Sequence, residues 1–323
     1  MSSFAVCLNA VLPLFLVMGL GYIARCTGAI SRTDVPKINK WAFKFFMPVM
    51  LFYNIYTSDL SAAVQPKLIA YTAACLLVLY GLSFAYVMAT EKCDNMRGVM
   101  IQGIYRSNFV IMGIPLAAQL VEGADLGPVV ILVAVVIPIF NVLAVITLEL
   151  FNGKKPTVGR MLLDILKNPL IIGIAAGIVV QLIGLKLPTA VESAAGMIGK
   201  AASPLMLFLL GAFFEFKGIG TYKKQLATVC IGKLIVVPAI FLTVSVLCGI
   251  RGVELAAMIA IFGSPTAVSS FTMTQQMGGD AALAGDIVVF TSALSCVTMF
   301  AWALALKSCL LYTSPSPRDR SVS

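Results

Sequence analysis

The sequence predicts an all-α polytopic membrane protein: ten transmembrane helices in two inverted five-helix repeats, with helices four and nine broken and crossing. Hydrophobic residues make up 60% and charged residues 11% of the 323 positions, and mean hydropathy is +0.99, outside the range of soluble globular domains. The apolar residues gather into ten stretches of roughly 20 residues, the length a helix needs to cross a bilayer. In the middle of two of them stands the same pattern, Gly113-Ile114-Pro115 and Gly263-Ser264-Pro265. Proline removes a backbone donor and clashes with the preceding turn, while glycine lets the chain leave helical geometry, so both segments are expected to break there. Freed backbone groups inside hydrocarbon must be buried in protein or line a cavity, so paired breaks point to a binding site.

In chain order, the first stretch covers Phe4 to Ala24. It lacks a basic start and a small-residue cleavage site, and is expected to be a permanent helix, not a signal peptide. The second, Ile38 to Tyr56, contains Pro48, a helix breaker; the third is Lys67 to Ala89. The fourth, Gly98 to Leu120, carries Arg106, Asn108 and the first Gly-x-Pro, and the fifth, Gly127 to Leu150, carries Pro138 and Asn141. After the polar loop Asn152 to Arg160 the plan begins again: Leu162 to Gly184, Thr189 to Phe214, Tyr222 to Cys248, Glu254 to Gln276 and Ala281 to Leu306. Met47-Pro48-Val49-Met50-Leu51-Phe52 of the second stretch aligns with Ser203-Pro204-Leu205-Met206-Leu207-Phe208 of the seventh. Helix four likewise matches helix nine, at an offset of about 150 residues. Since five is odd, the second repeat must enter from the opposite side. The units are then residues 1–151 (first repeat), 152–161 (cytoplasmic linker) and 162–307 (second repeat). Residues 308–323, rich in Ser, Pro and Arg, read as a disordered tail foreign to the native protein.

Loops after odd-numbered helices hold about twelve basic residues, among them Arg25, Arg32, Lys92, Arg97 and Lys224, against about four after even-numbered ones. Odd loops are therefore expected in the cytoplasm and both termini outside, in a multi-pass protein of the cell membrane. The same distribution explains the net charge of +9 without a nucleic-acid partner. The chain has no histidine, which removes histidine-based catalysis and proton relay, and its eight cysteines show no metal-ligand spacing. No cofactor, metal or enzymatic set is expected.

An arginine near mid-helix costs about 2.5–3.5 kcal/mol on insertion scales, so Arg106 has two readings: a binder of an acidic substrate, or a side chain snorkelling to the cytoplasmic face. Asn108, Asn141, Ser264, Thr266, Ser269 and Ser270 cluster near the breaks, with Asn54 in helix two, and offer neutral hydrogen bonds to a substrate or to unwound backbone. The substrate-binding candidates are therefore Asn108, Gly113, Pro115, Gly263, Ser264, Pro265, Thr266, Ser269, Arg106, Asn141 and Asn54. Asp286, Glu149 and Lys233 are coupling candidates, although a solvated carboxylate near the interface also explains the two acids.

Five segments carry a resemblance: Asn39-x-x-x-Phe43-x-x-x-Met47-Pro48-x-x-Leu51-Phe52; Arg106-x-Asn108-x-x-x-x-Gly113-x-Pro115-Leu116; Asn168-Pro169-Leu170-Ile171; Pro204-Leu205-x-Leu207-Phe208-x-Leu210-Gly211; and Ser264-Pro265-Thr266-Ala267-Val268-x-Ser270-Phe271. Together they resemble the auxin efflux carrier family over about Phe4 to Lys307. Short loops liken the chain to prokaryotic members of the malonate and malate permease kind. The resemblance implies a secondary carrier of small organic anions such as carboxylates, binding beside the crossover of helices four and nine and working by alternating access. It leaves open coupling to protons or sodium, and a homodimer. A sensor or receptor that binds carboxylates without moving them is the alternative, and proteoliposome transport discriminates the two.

Overall fold

The computed structural model describes residues 3–58, 65–121, 126–153, 158–215 and 220–308. The expected tail lies outside the described residues, apart from Ser308, which ends the last helix. Among the described residues every regular element is helical: α1 Ser3–Cys26, α2 Asp34–Trp41, α3 Met47–Tyr56, α4 Pro66–Thr90, α5 Asp94–Tyr105, α6 Ile114–Leu120, α7 Gly127–Leu150, α8 Val158–Leu166, α9 Pro169–Leu182, α10 Thr189–Phe213, α11 Lys223–Ile231, α12 Val237–Leu247, α13 Gly252–Met258, α14 Ser269–Met277 and α15 Ala281–Ser308.

Among the described residues six uninterrupted helical rods, built on α1, α4, α7, α10, α11 with α12, and α15, are long and apolar enough to cross a membrane. A seventh is obtained by joining α8 and α9, which bend by 61° at Asn168-Pro169. The apolar run alone predicts a straight helix at this point. Pro169 instead pushes Asn168 to an extended conformation, and the Asn168 side chain caps Leu170 N–H. The other three expected spans are the second stretch, Ile38 to Tyr56, which the structure builds from α2, a π-helical turn and α3, and the two interrupted segments.

Proline does not act alike at each site. Among the described residues four five-residue π-helical turns, Ala42–Phe46, Phe109–Gly113, Gly232–Val236 and Ile259–Gly263, each end two residues before a proline: Pro48, Pro115, Pro238 and Pro265. Widening the helix there absorbs the carbonyl that the proline ring would strike. Pro48 therefore does not break its helix, contrary to expectation. At Pro238 the freed carbonyl, Leu234 O, accepts the Trp302 indole N–H at 3.0 Å.

Helices α1, α3, α9 and α10 pack on one another as one group. Glycines let them approach: a Cβ on Gly21 would stand 1.9 Å from Phe208 O, and one on Gly211 1.9 Å from Met18 O. The second group holds α4, α5, α7 and α11 to α15, and it meets the first chiefly where α15 and the short α6 pack on α1. At one end of the molecule Arg32 pairs with Glu215 at 2.8 Å, Gln225 donates to Glu91 at 2.9 Å, Asp280 N–H to Asn95 O at 3.1 Å and Tyr222 to Asp280 at 2.8 Å. At the opposite end Gln181 donates to Ser58, Leu187 N–H to the Tyr56 hydroxyl at 3.1 Å, and Tyr71 and Ser245 share a 2.9 Å bond. The first set joins loops and helix ends on the side of the loops expected after odd-numbered helices, and the second set joins those on the side of the even-numbered ones.

Candidate functional site

Both expected breaks exist and meet. Between α5 and the π-helical turn the chain unwinds over Arg106, Ser107 and Asn108. Between the last π-helical turn and α14 it unwinds from Ser264, which is extended at φ −71° and ψ 152°. Asn108 N–H donates to Pro265 O at 2.8 Å, so backbone freed in one helix is satisfied by backbone freed in the other. Thr266 adds a second tie, its hydroxyl donating to Gly103 O at 2.7 Å while its N–H donates to Thr291 Oγ1 at 3.3 Å. Ser264 donates to Ala260 O at 2.6 Å, closing the end of its own helix.

The position of the first break corrects the sequence reading. Ile114, just before Pro115, keeps helical angles of φ −61° and ψ −47°, so the chain is helical at the proline and open some seven residues earlier. Gly113 serves the crossing: a Cβ there would lie 2.6 Å from Ala260 O and 2.7 Å from its Cα. Gly263 is less constrained, since its Cβ would meet Ile259 Cγ2 at an ordinary 3.6 Å.

Arg106, at the first break, is 2% exposed, which rules out the snorkelling reading. Nη2 donates to Asn141 Oδ1 at 2.6 Å and Ser269 Oγ at 2.9 Å; Nη1 donates to Gln102 Oε1 at 3.3 Å and touches Met273 Sδ. All of these partners are neutral. The ion pairs among the described residues, Arg32–Glu215, Lys37–Asp34 and Arg97–Asp94, are peripheral and exclude it. Asn141 is itself fixed, its Nδ2 donating to Ile137 O at 2.8 Å one turn back along α7.

Beside Arg106 lies a cavity of about 110 Å³, between the two helix groups. Ser107, Asn108, Asn141 and Ser269 line it from one group, and Asn54 and Ser203 from the other. Asn108 Nδ2 and Ser107 Oγ are buried and find no hydrogen-bond partner. α5 and α14 run between the break and the end where Asn95 meets Asp280, and Gln102 and Met273 back the guanidinium on that side. The cavity is on the other.

Of the candidate residues, Arg106, Asn108, Asn141, Ser269 and Asn54 are thus brought together around the cavity. Gly113, Gly263, Ser264, Pro265 and Thr266 build the crossover without lining it, and Pro115 is exposed on α6. The coupling candidates stand elsewhere. Glu149 accepts from Asn152 at 2.8 Å. Asp286 is 4% exposed in α15, so its reading as a solvated interfacial carboxylate does not hold. Lys233 is fully buried in a π-helical turn, and its Nζ has no hydrogen-bond partner. Gln102 and Ser107 were missed by the sequence reading. Their signal was a polar residue one turn before, and another directly after, an intramembrane arginine.

An all-helical membrane protein with paired, interlocked helix breaks around a buried cation is of the kind that moves solutes. The chain belongs to the membrane transport protein family, that of the auxin efflux carriers: the family model described as "Membrane transport protein" matches it twice, over residues 6–158 and 154–303. An "Uncharacterized transporter" of Methanothermobacter thermautotrophicus is similar, 21% identical over 302 residues covering 92% of this chain and 98% of the relative. The "Uncharacterized transporter YfdV" of Escherichia coli K12 is 23% identical over 302 residues, covering 86% and 92%.

Proposed function

We propose that the protein is a secondary active transporter that moves small organic anions, carboxylates foremost, across the cell membrane by alternating access at the crossover. The observation that carries this reading is Arg106, a buried cation whose neutral partners align it without cancelling its charge. An isolated charge in such a place is costly unless paired, and an anion entering the cavity supplies the pair. Asn108 Nδ2 and Ser107 Oγ are the unengaged groups that would receive its oxygens.

The chain acts as ten spans in two inverted repeats, residues 1–151 and 162–307, joined by a cytoplasmic linker at 152–161, with both termini outside. The two-fold family match supports the repeat, and the segregation of odd and even loops to opposite ends supports the span count. The cavity's place between two helix groups supports alternating access: sliding of one group past the other would carry the site from end to end. Coupling to protons or sodium and a homodimeric assembly are open within this reading.

Purified protein in proteoliposomes tests it. Counterflow of labelled carboxylates, repeated under imposed proton and sodium gradients, is expected to show saturable exchange. Carboxylate binding without exchange would favour the receptor instead.

A further inference from the structure

We infer that the carried anion is a monocarboxylate and that dicarboxylate dianions are poor substrates, an inference that rests on the carrier reading above. Positive charge in the cavity is confined to one wall. Arg106 is the single cation among the described residues that line it, and Ser269, its partner, opens α14, a nine-residue helix whose N-terminus adds partial positive charge. Ser107 and Asn108, with their unpartnered polar atoms, belong to the same wall. The facing surface is built from Met50, Leu51 and Met206, with Asn54 and Ser203 as its neutral polar groups.

One carboxylate on the Arg106 wall is balanced in charge and has donors waiting. A second, at the other end of a three- or four-carbon chain, would be stripped of water against sulfur and aliphatic carbon. It would meet amide and hydroxyl groups but no cation, leaving a net negative charge in a site of low dielectric.

The test is exchange in proteoliposomes of the full chain, comparing lactate, pyruvate and propionate with malonate, succinate and malate at about pH 7.5, where the carboxyl groups are ionised. Monocarboxylate exchange about tenfold or more above dicarboxylate exchange is expected. Dicarboxylates exchanging as fast or faster overturn the inference and leave the carrier reading standing; exchange of none of the anions by folded protein overturns both. Asn54→Lys, which adds a cation to the facing wall, is expected to raise the dicarboxylate-to-monocarboxylate ratio about tenfold. An unchanged ratio in a variant that still transports counts against the inference.

Discussion

Arg106 donates hydrogen bonds to neutral partners, Gln102 of α5, Asn141 of α7 and Ser269 of α14, and a glutamine in its place keeps a donor for them, so Arg106→Gln should remove charge from the cavity more than it disturbs the fold. Hydrogen bonds to charged groups are worth about 1.5–3 kcal/mol, which places the loss of anion affinity in Arg106→Gln at roughly ten- to a hundred-fold. Arg106→Lys should recover part of it. Substrate-dependent thermal shift in detergent measures both, with elution volume as the check on folding. The two glycines of the repeated pattern separate by the same reasoning. Gly113→Ala must push against Ala260 backbone and is expected to destabilise by about 1–3 kcal/mol, while Gly263→Ala meets only ordinary contact and should stay within about 1 kcal/mol of the parent. Paired thermal unfolding curves check that contrast. The sequence made Arg106 and Asn108 visible because intramembrane polar residues are few. It could not tell a snorkelling arginine from a buried one, since that depends on Asn141 and Ser269 arriving from helices distant in the chain.

At the level of elements, the proline rule alone located the breaks only in part. It succeeded at Pro265, where the preceding residue is extended, and missed at Pro115, where a π-helical turn takes up the misfit and the chain opens at Arg106 instead. Whether a proline kinks, widens or unwinds a helix depends on who satisfies the freed carbonyls, and those partners, Trp302 for Leu234 and Asn108 for Pro265, come from elsewhere in the fold. The close pairing of α1 with α10 shows the same dependence. Gly21 and Gly211 look like ordinary membrane glycines in the sequence, yet each is the contact point for the other helix's backbone. Gly211→Leu is expected to separate the pair and lower the unfolding temperature by several degrees, whereas Gly19→Leu, at a position with open space, should not.

For the molecule as a whole, composition defines the class and the matched proline segments indicate a repeat. The apposition of the two helix groups around a cavity was not legible, because it depends on packing between segments more than a hundred residues apart. The alternation of loop ends has a direct check in native residues. Cys26 and Cys93 are exposed at the odd-loop end and Cys248 at the even-loop end. In single-cysteine variants a membrane-impermeant maleimide should reach Cys248 from outside intact cells, and Cys26 and Cys93 only in inverted vesicles. The measurement that bears most directly on the central claim uses Ser107, whose unpartnered hydroxyl faces the cavity. In a cysteine-free background, Ser107→Cys is expected to react with the impermeant reagent from either side of the membrane, with carboxylate substrate slowing the reaction from both. Reaction from one side only, unaffected by any carboxylate, would contradict a carrier that alternates its access around these two helix breaks.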